Sequence, residues 1–200
     1  MMMACAVYGG ASAFAQSGGN SSAVTVIGED RNGRACLTAV AAGDSSDATL
    51  TACTRAMSYN RLTRAAEREL LIDRGIVYLR RHEGDLALAD FDEVISRDRR
   101  NAEAHLNRGA ALVQLNRHGE AIAAITEALG LGVLEPHKAY YNRGAAREAL
   151  GDLRGAYEDF STALEIQPDW GPANAELARF ARNRRDHLAT VLAEEPAPTP

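Results

Sequence analysis

The chain has 200 residues, 46% of them hydrophobic and 24% charged, with a formal net charge of -5. This balance excludes disorder along the whole length, and the mixed signs without a basic face exclude a nucleic-acid or anionic-membrane surface. No stretch approaches the ~20 consecutive apolar residues that a membrane-spanning helix needs.

Residues 1–15, MMMACAVYGGASAFA, carry no charge and end in Ala13-Phe14-Ala15 before Gln16. That ending fits the small-x-small rule of signal peptidase cleavage, so the segment reads as a secretory signal peptide and the expected compartment is a bacterial periplasm. The basic n-region is missing, the apolar core is short, and three methionines in a row suggest a truncated start. A retained N-terminus and a cytoplasmic location are the alternative. Met2-Met3-Ala4-Cys5 faintly resembles a lipobox, whose cysteine would become a lipidated first residue, but that reading leaves the better Ala-x-Ala site unused. Residues 16–30, rich in Ser, Gly and Asn, read as a flexible lead-in with a short β-prone run at Val24 to Ile27.

From 31 to 63 the pattern predicts a weak helical hairpin. Ala35, Cys36, Leu37, Val40 and Ala41 mark one short helix, GDSSD makes a turn with Ser46 or Asp47 as N-cap, and Leu50, Cys53, Ala56 and Met57 follow at helical spacing. Three longer units come next, at 68–101, 102–136 and 137–170. Each contains the same phrase, IDRG, LNRG or YNRG, whose glycines Gly75, Gly109 and Gly144 are separated by 34 and 35 residues. A fixed period of this size marks a repeat array, in which no unit buries its apolar face alone.

The third unit is the clearest. Tyr140, Gly144 and Leu150 share one side of a first helix, and Ala156, Phe160, Ala163 and Leu164 share the facing side of a second. Gly151-Asp152 makes the turn and Pro168 ends the hairpin. Beyond Trp170, residues 172–193 predict a long helix with Ala173, Leu177, Phe180, Ala181, Leu188, Val191 and Leu192 on one face, the cap that a repeat array needs. Trp170 is expected to pack beneath it. Arg179, Arg182, Arg184 and Arg185 read as its solvated outer face, and 194–200, EEPAPTP, as a disordered tail.

These units resemble the tetratricopeptide repeat (TPR) family. The resemblance rests on Gly144, Ala156, Phe160, Ala163 and Pro168, on Gly109, Ala121, Ile125 and Ala128, and on Gly75, Ala87, Phe91 and Val94. It implies an all-α fold, an α-α superhelix (TPR solenoid) of antiparallel hairpins, in which a glycine on the first helix lets an alanine helix approach closely. The middle unit lacks the terminal proline and has a loop one residue longer, Gly130 to Pro136, and Arg99 stands where the earlier unit would have proline. The segment CTRAM at 53–57 resembles the second helix of a further, degenerate repeat. On that alignment Cys36 and Cys53 meet on the contact side of one hairpin, which implies a disulfide in an oxidising compartment and two buried free thiols in the cytoplasm.

The resemblance also implies a concave ligand groove lined by the first helix of each repeat. Its residues here are Glu69, Ile72, Asp73, Ile76, Leu79 and Arg80; Glu103, Leu106, Asn107, Ala110, Val113 and Gln114; and Lys138, Tyr141, Asn142, Ala145, Glu148 and Ala149. Asn107 and Asn142 suit hydrogen bonding to the backbone of an extended peptide, while Tyr141 and Ile72 would supply apolar contacts. The variant of the family that grips acidic chaperone tails with a carboxylate clamp is matched only in part, by Lys138 and Asn142, because Ile72 and Asp73 stand where the first repeat would supply amide and cationic groups.

For catalysis the sequence offers no constellation. The five histidines, His82, His105, His118, His137 and His187, make no metal-ligand pairs, there is no Gly-rich phosphate loop, and no serine sits in a nucleophile elbow. Asp90, Asp92, Glu93, Glu158 and Asp159 fall on second helices and read as solvated. The expected function is therefore non-enzymatic recognition of a protein or peptide, without cofactor or metal. The alternatives are a lipid-anchored envelope assembly factor and a cytoplasmic chaperone-type adaptor.

Overall fold

The structure is a computed structural model that describes residues 30–59 and 62–194, with side chains described as far as Arg185. The signal peptide, Cys5, nearly all of the lead-in and residues 195–200 of the tail lie outside the described residues. Among those described there are nine helices: α1 Arg31–Ala41, α2 Asp47–Met57, α3 Arg64–Arg80, α4 Gly84–Arg97, α5 Ala102–Gln114, α6 His118–Leu131, α7 Pro136–Ala149, α8 Leu153–Ile166 and α9 Gly171–Glu194. Consecutive helices pair as hairpins, and α1, α3, α5 and α7 also touch one another in sequence, forming one row with α2, α4, α6 and α8 behind it.

The helix ends follow from short polar side chains. Asp30, Ser46, Thr63, Asn101 and Asp152 each accept a hydrogen bond from the backbone N–H three residues on, at 2.8 to 3.3 Å, satisfying donors that the helix leaves over. α7 instead starts with Pro136, whose missing N–H costs nothing at that position. Every turn inside the three long repeats needs one left-handed residue, supplied by His82 (φ 61°), Asn116 (φ 59°) and Gly151 (φ 84°). Gly151 adopts it freely, and Asn and His are among the few other types that adopt it readily. Leu150, expected to face the partner helix, lies beyond α7 as its C-cap and is exposed.

Close approach of each hairpin depends on its glycine. A Cβ on Gly75 would stand 2.5 Å from Phe91 Cε1, one on Gly144 2.8 Å from Phe160 Cε1, and one on Gly109 would overlap Ile125 Cγ1. Phe91, Ile125 and Phe160 are fully buried, so the rings and the branched chain fill the space the glycines leave. A continuous core runs from Cys36 to Ala146. A second cluster at the far end gathers Tyr141, Ala156, Phe160, Ala163 and Ala173 with Trp170, Leu177 and Phe180 of the last turn and α9. At the near end Cys36 and Cys53 are disulfide-bonded, with Cα atoms 4.8 Å apart, and join α1 to α2.

Two acids expected in solvent are instead buried. Asp90 takes both forks of Arg74, at 2.8 and 2.6 Å, and Asp159 takes Arg143 at 3.0 and 2.7 Å and Arg147 at 2.9 Å. Each carboxylate is about 95% or more enclosed, and its arginine is the residue just before the repeat glycine. The pairs pin first helix to second beside the glycine contact, which explains why charge is tolerated there. The middle repeat has Ala124 at the matching place, and its Arg108 reaches back to Asp92 of the preceding hairpin at 2.6 Å. Arg179 likewise leaves the solvated face assigned to it. It bonds Glu148 at 2.6 Å and Glu176 at 2.7 Å, so α9 is fastened to the end of α7.

Candidate functional site

The row of first helices sets three equivalent positions side by side. Ile72, Leu106 and Tyr141 form one file, Asp73, Asn107 and Asn142 the next, and Glu69, Glu103 and Lys138 a third, one turn earlier. Ile72, Asp73, Asn107, Tyr141 and Asn142 are at most 4% exposed and make the floor. Glu69, Arg80, Glu103 and Lys138 are half-buried and make the rim. The structure therefore brings the expected groove residues together, but Leu106, Asn107 and Asn142 are fully enclosed and, contrary to expectation, present no surface to a peptide as placed. Tyr141 is drawn into the far cluster, with its ring 5.5 Å from that of Phe160 and 5.0 Å from that of Trp170.

Several rim groups also serve neighbouring elements. Arg80 donates through Nη1 to the carbonyl of Val40 at 2.8 Å, Lys138 pairs with Glu135 at 2.8 Å, and Glu103 accepts from the Leu134 backbone N–H at 3.2 Å. Gln114 donates to the Leu79 carbonyl at 3.0 Å and meets His82 Nδ1 at 3.1 Å, tying one repeat's turn to the next. Glu148, at the far end of the row, is occupied by Arg179.

Acids outnumber cations in the near part of the groove, which holds Glu69, Asp73 and Glu103 against Arg80, while the far part holds Lys138 and a Glu148 already paired with Arg179. Burial pushes the Asp73 carboxyl up to about 7, the negative charge of Glu69 adds to this, and Arg80 opposes it. Glu69 is raised for the same first reason, burial, with Glu103 adding and Arg68 opposing. Asp73 Oδ2 is enclosed without a hydrogen-bond partner. Sequence reasoning placed Asp73 on the groove without seeing this enclosure, although its signal was present: an acid stands where the two sister repeats have asparagine.

Other surfaces carry less. A cavity of about 380 Å³ is lined by Arg64, Glu67, Arg68 and Arg97, and no groove residue takes part. Three of its four lining charges are already engaged, Arg97 with Glu67 and Glu93 at 2.7 Å each and Arg68 with Asp98 at 3.2 Å. Among the described residues no three His, Cys, Asp or Glu side chains converge in a way that could hold a metal, and no helix is long and apolar enough to cross a membrane.

Family models described as tetratricopeptide repeat match residues 72–136 and 137–169. The second TPR domain of human RPAP3, solved with the HSP70 peptide SGPTIEEVD, is 31% identical and superposes with a TM-score of 0.50 over 55% of this chain and 90% of that domain. The chain belongs to the tetratricopeptide repeat family. The first TPR of Spaghetti (RPAP3), bound to the HSP90 peptide SRMEEVD, is 28% identical with a TM-score of 0.54, covering 59% of this TPR chain and 93% of that one. RNA polymerase II-associated protein 3 of Xenopus tropicalis is 30% identical over 123 residues, 62% of this chain but 19% of the relative. The TPR chain thus spans less than a fifth of the length of the first curated relatives it matches.

Proposed function

We propose that this TPR array is a non-enzymatic adaptor that binds an extended peptide or protein segment along α3, α5 and α7, and that it works after export, in a bacterial periplasm. The observation that carries the binding reading is the in-register row of first helices α3, α5 and α7, which sets the half-buried rim positions Glu69, Glu103 and Lys138 side by side along one surface, as an extended chain requires. Two RPAP3 domains of the same fold hold peptides. Export is supported by the small-x-small ending of residues 1–15 and by the Cys36 to Cys53 bond, which suits an oxidising compartment.

The test is selection of peptides from a displayed random library, followed by titration into the parent and into a Lys138→Glu, Glu103→Lys variant. A defined peptide motif is expected, with at least about tenfold loss on reversing the rim charges and no loss of helicity. A library that yields no motif would overturn it. Intact mass of protein from fractionated cells tests the location: a species beginning at Gln16, protected from alkylation until reduced, supports export.

A second reading, a cytoplasmic chaperone-type adaptor, is favoured by one observation, the likeness to domains that hold HSP70 and HSP90 peptides. It predicts tight binding of SRMEEVD and free Cys36 and Cys53. The near half of this groove opposes it, since Glu69, Asp73 and Glu103 would repel the Glu-Glu-Val-Asp ending.

A further inference from the structure

The charge of the near half implies a particular kind of peptide, an inference that rests on the peptide-binding reading. One repeat position is filled by Asp73, Asn107 and Asn142, and all three are almost wholly enclosed, at 4%, 0% and 0% exposure. An amide in such a place is neutral at every pH. A carboxylate must give up its water, which is unfavourable unless a counter-charge meets it.

Among the described residues only Arg80 offsets that charge, and it does so at a distance, without a direct ion pair. Asp73 Oδ2 has no hydrogen bond, and Arg80, the cation that acts on it from two turns away, spends Nη1 on the Val40 carbonyl. Its other neighbours deepen the negative charge. Glu69 lies one turn before it on the same face of α3, and Glu103 holds on α5 the place that Glu69 holds on α3. Stability alone would favour asparagine here, as in the two sister repeats. An unfavourable acid without a hydrogen bond, at the near end of a binding row, is the pattern of a group kept for its ligand.

We propose that Asp73, with Glu69 and Glu103 at the rim, receives the cationic side chain of a lysine or arginine from an extended peptide that crosses α5 and α7 on one side of it and runs on towards α1 on the other. The row of first helices continues on both sides of α3, to α1 and to α5, so a peptide passes over Asp73 instead of ending there. That geometry calls for a side chain and not a terminal amine.

The test uses the full chain and N-acetylated, C-amidated nonapeptide pools with a central Lys, Arg, Gln or Glu and uncharged random residues elsewhere, with binding read by fluorescence anisotropy at pH 8. The Lys and Arg pools are expected to bind about tenfold or more tighter than the Gln pool, and the Glu pool weakest. Asp73→Asn should bring Lys and Gln within about twofold, and Glu69→Gln should narrow the gap while leaving Asp73 in place. Equal binding of the Lys and Gln pools, or a preference that survives Asp73→Asn, overturns the proposal. So does a Gln pool with a free amino terminus that outbinds the acetylated Lys pool, since the site would then take a terminal amine. Binding of every pool without preference sinks this inference alone, whereas failure of every pool to bind sinks the peptide-binding reading with it.

Discussion

Gly109 offers the sharpest test of how the hairpins are packed. A Cβ added there overlaps Ile125 Cγ1, lies 3.0 Å from Ile125 Cδ1 and 3.4 Å from the Ala121 carbonyl oxygen. Ile125 is fully buried, so it has no solvent-facing rotamer to retreat to. In Gly109→Ala, overpacking of about 1–3 kcal/mol is offset by the roughly 0.5–1 kcal/mol that alanine gains over glycine inside a helix. In Gly109→Leu the larger side chain forces α5 from α6, and the loss should exceed about 2 kcal/mol, a fall of some 4–8 °C for a chain of this size. The decisive measurement is a double-mutant cycle with Ile125→Ala, which alone should lose about 2–5 kcal/mol by leaving a cavity. The new Cβ of Gly109→Ala enters that cavity, so the double variant should be more stable than the sum of the singles by at least about 1 kcal/mol. Urea melts followed by circular dichroism supply all four values. Additive losses, or a Gly109→Leu variant that melts with the parent, would show that the repeat phase is wrong.

Three further outcomes follow from buried charge and from the crosslink. Because the folded-state pKa of Asp73 is raised from 3.8 to about 7, its contribution to stability is fully present below pH ~4 and is lost as pH rises through 7. Asp73→Asn should therefore match the parent near pH 4 and become progressively more stable than it towards pH 8, by at most about 4 kcal/mol. A difference that does not vary with pH, in melts from pH 4 to 8, would contradict the enclosure of this carboxyl. Asp159→Ala strands two arginines, Arg143 and Arg147, and should lose about 3–5 kcal/mol, whereas Asp92→Ala, which breaks only an exposed pair, should lose less than about 1 kcal/mol. Reduction of the Cys36 to Cys53 bond, whose ends are 17 residues apart, removes about 3 kcal/mol from a hairpin that, among the described residues, packs on one neighbour. It should cost the helical signal of α1 and α2, 11 residues each, while the rest of the array melts as before. A single cooperative loss of all helix on reduction would contradict this and show that the array cannot stand without its first hairpin.

The helical hairpins were legible because glycine, alanine and one large residue must recur together wherever two helices touch closely. Gly75 with Phe91, Gly109 with Ile125 and Gly144 with Phe160 are those meetings; the third is visible as helical spacing, and the other two follow from the family resemblance. The buried Arg74 to Asp90 and Arg143 to Asp159 pairs were not read, because an acid on a second helix looks like solvent surface until its partner across the hairpin is known. The clue lay in the arginine before each glycine and the acid 16 residues later. His82 and Asn116 were missed as left-handed turn residues because neither type demands that conformation, whereas Gly151 permits it freely. The groove positions of Asp73, Asn107 and Asn142 came from the family resemblance. Their degree of enclosure, and the engagement of Tyr141 with Trp170, depend on packing by elements far along the chain and cannot be read from spacing.

The most direct test of the account is to titrate a library-selected peptide into isotopically labelled full-length protein and map the amide shifts by NMR. Peptide binding along the row of first helices predicts saturable shifts concentrated on α3, α5 and α7, including the amides of Asp73, Asn107 and Asn142, with α4, α6 and α8 little changed. Shifts concentrated on α4, α6 and α8, or on the exposed Leu153 and Tyr157 of α8, would contradict it and move the binding surface to the other side of the array.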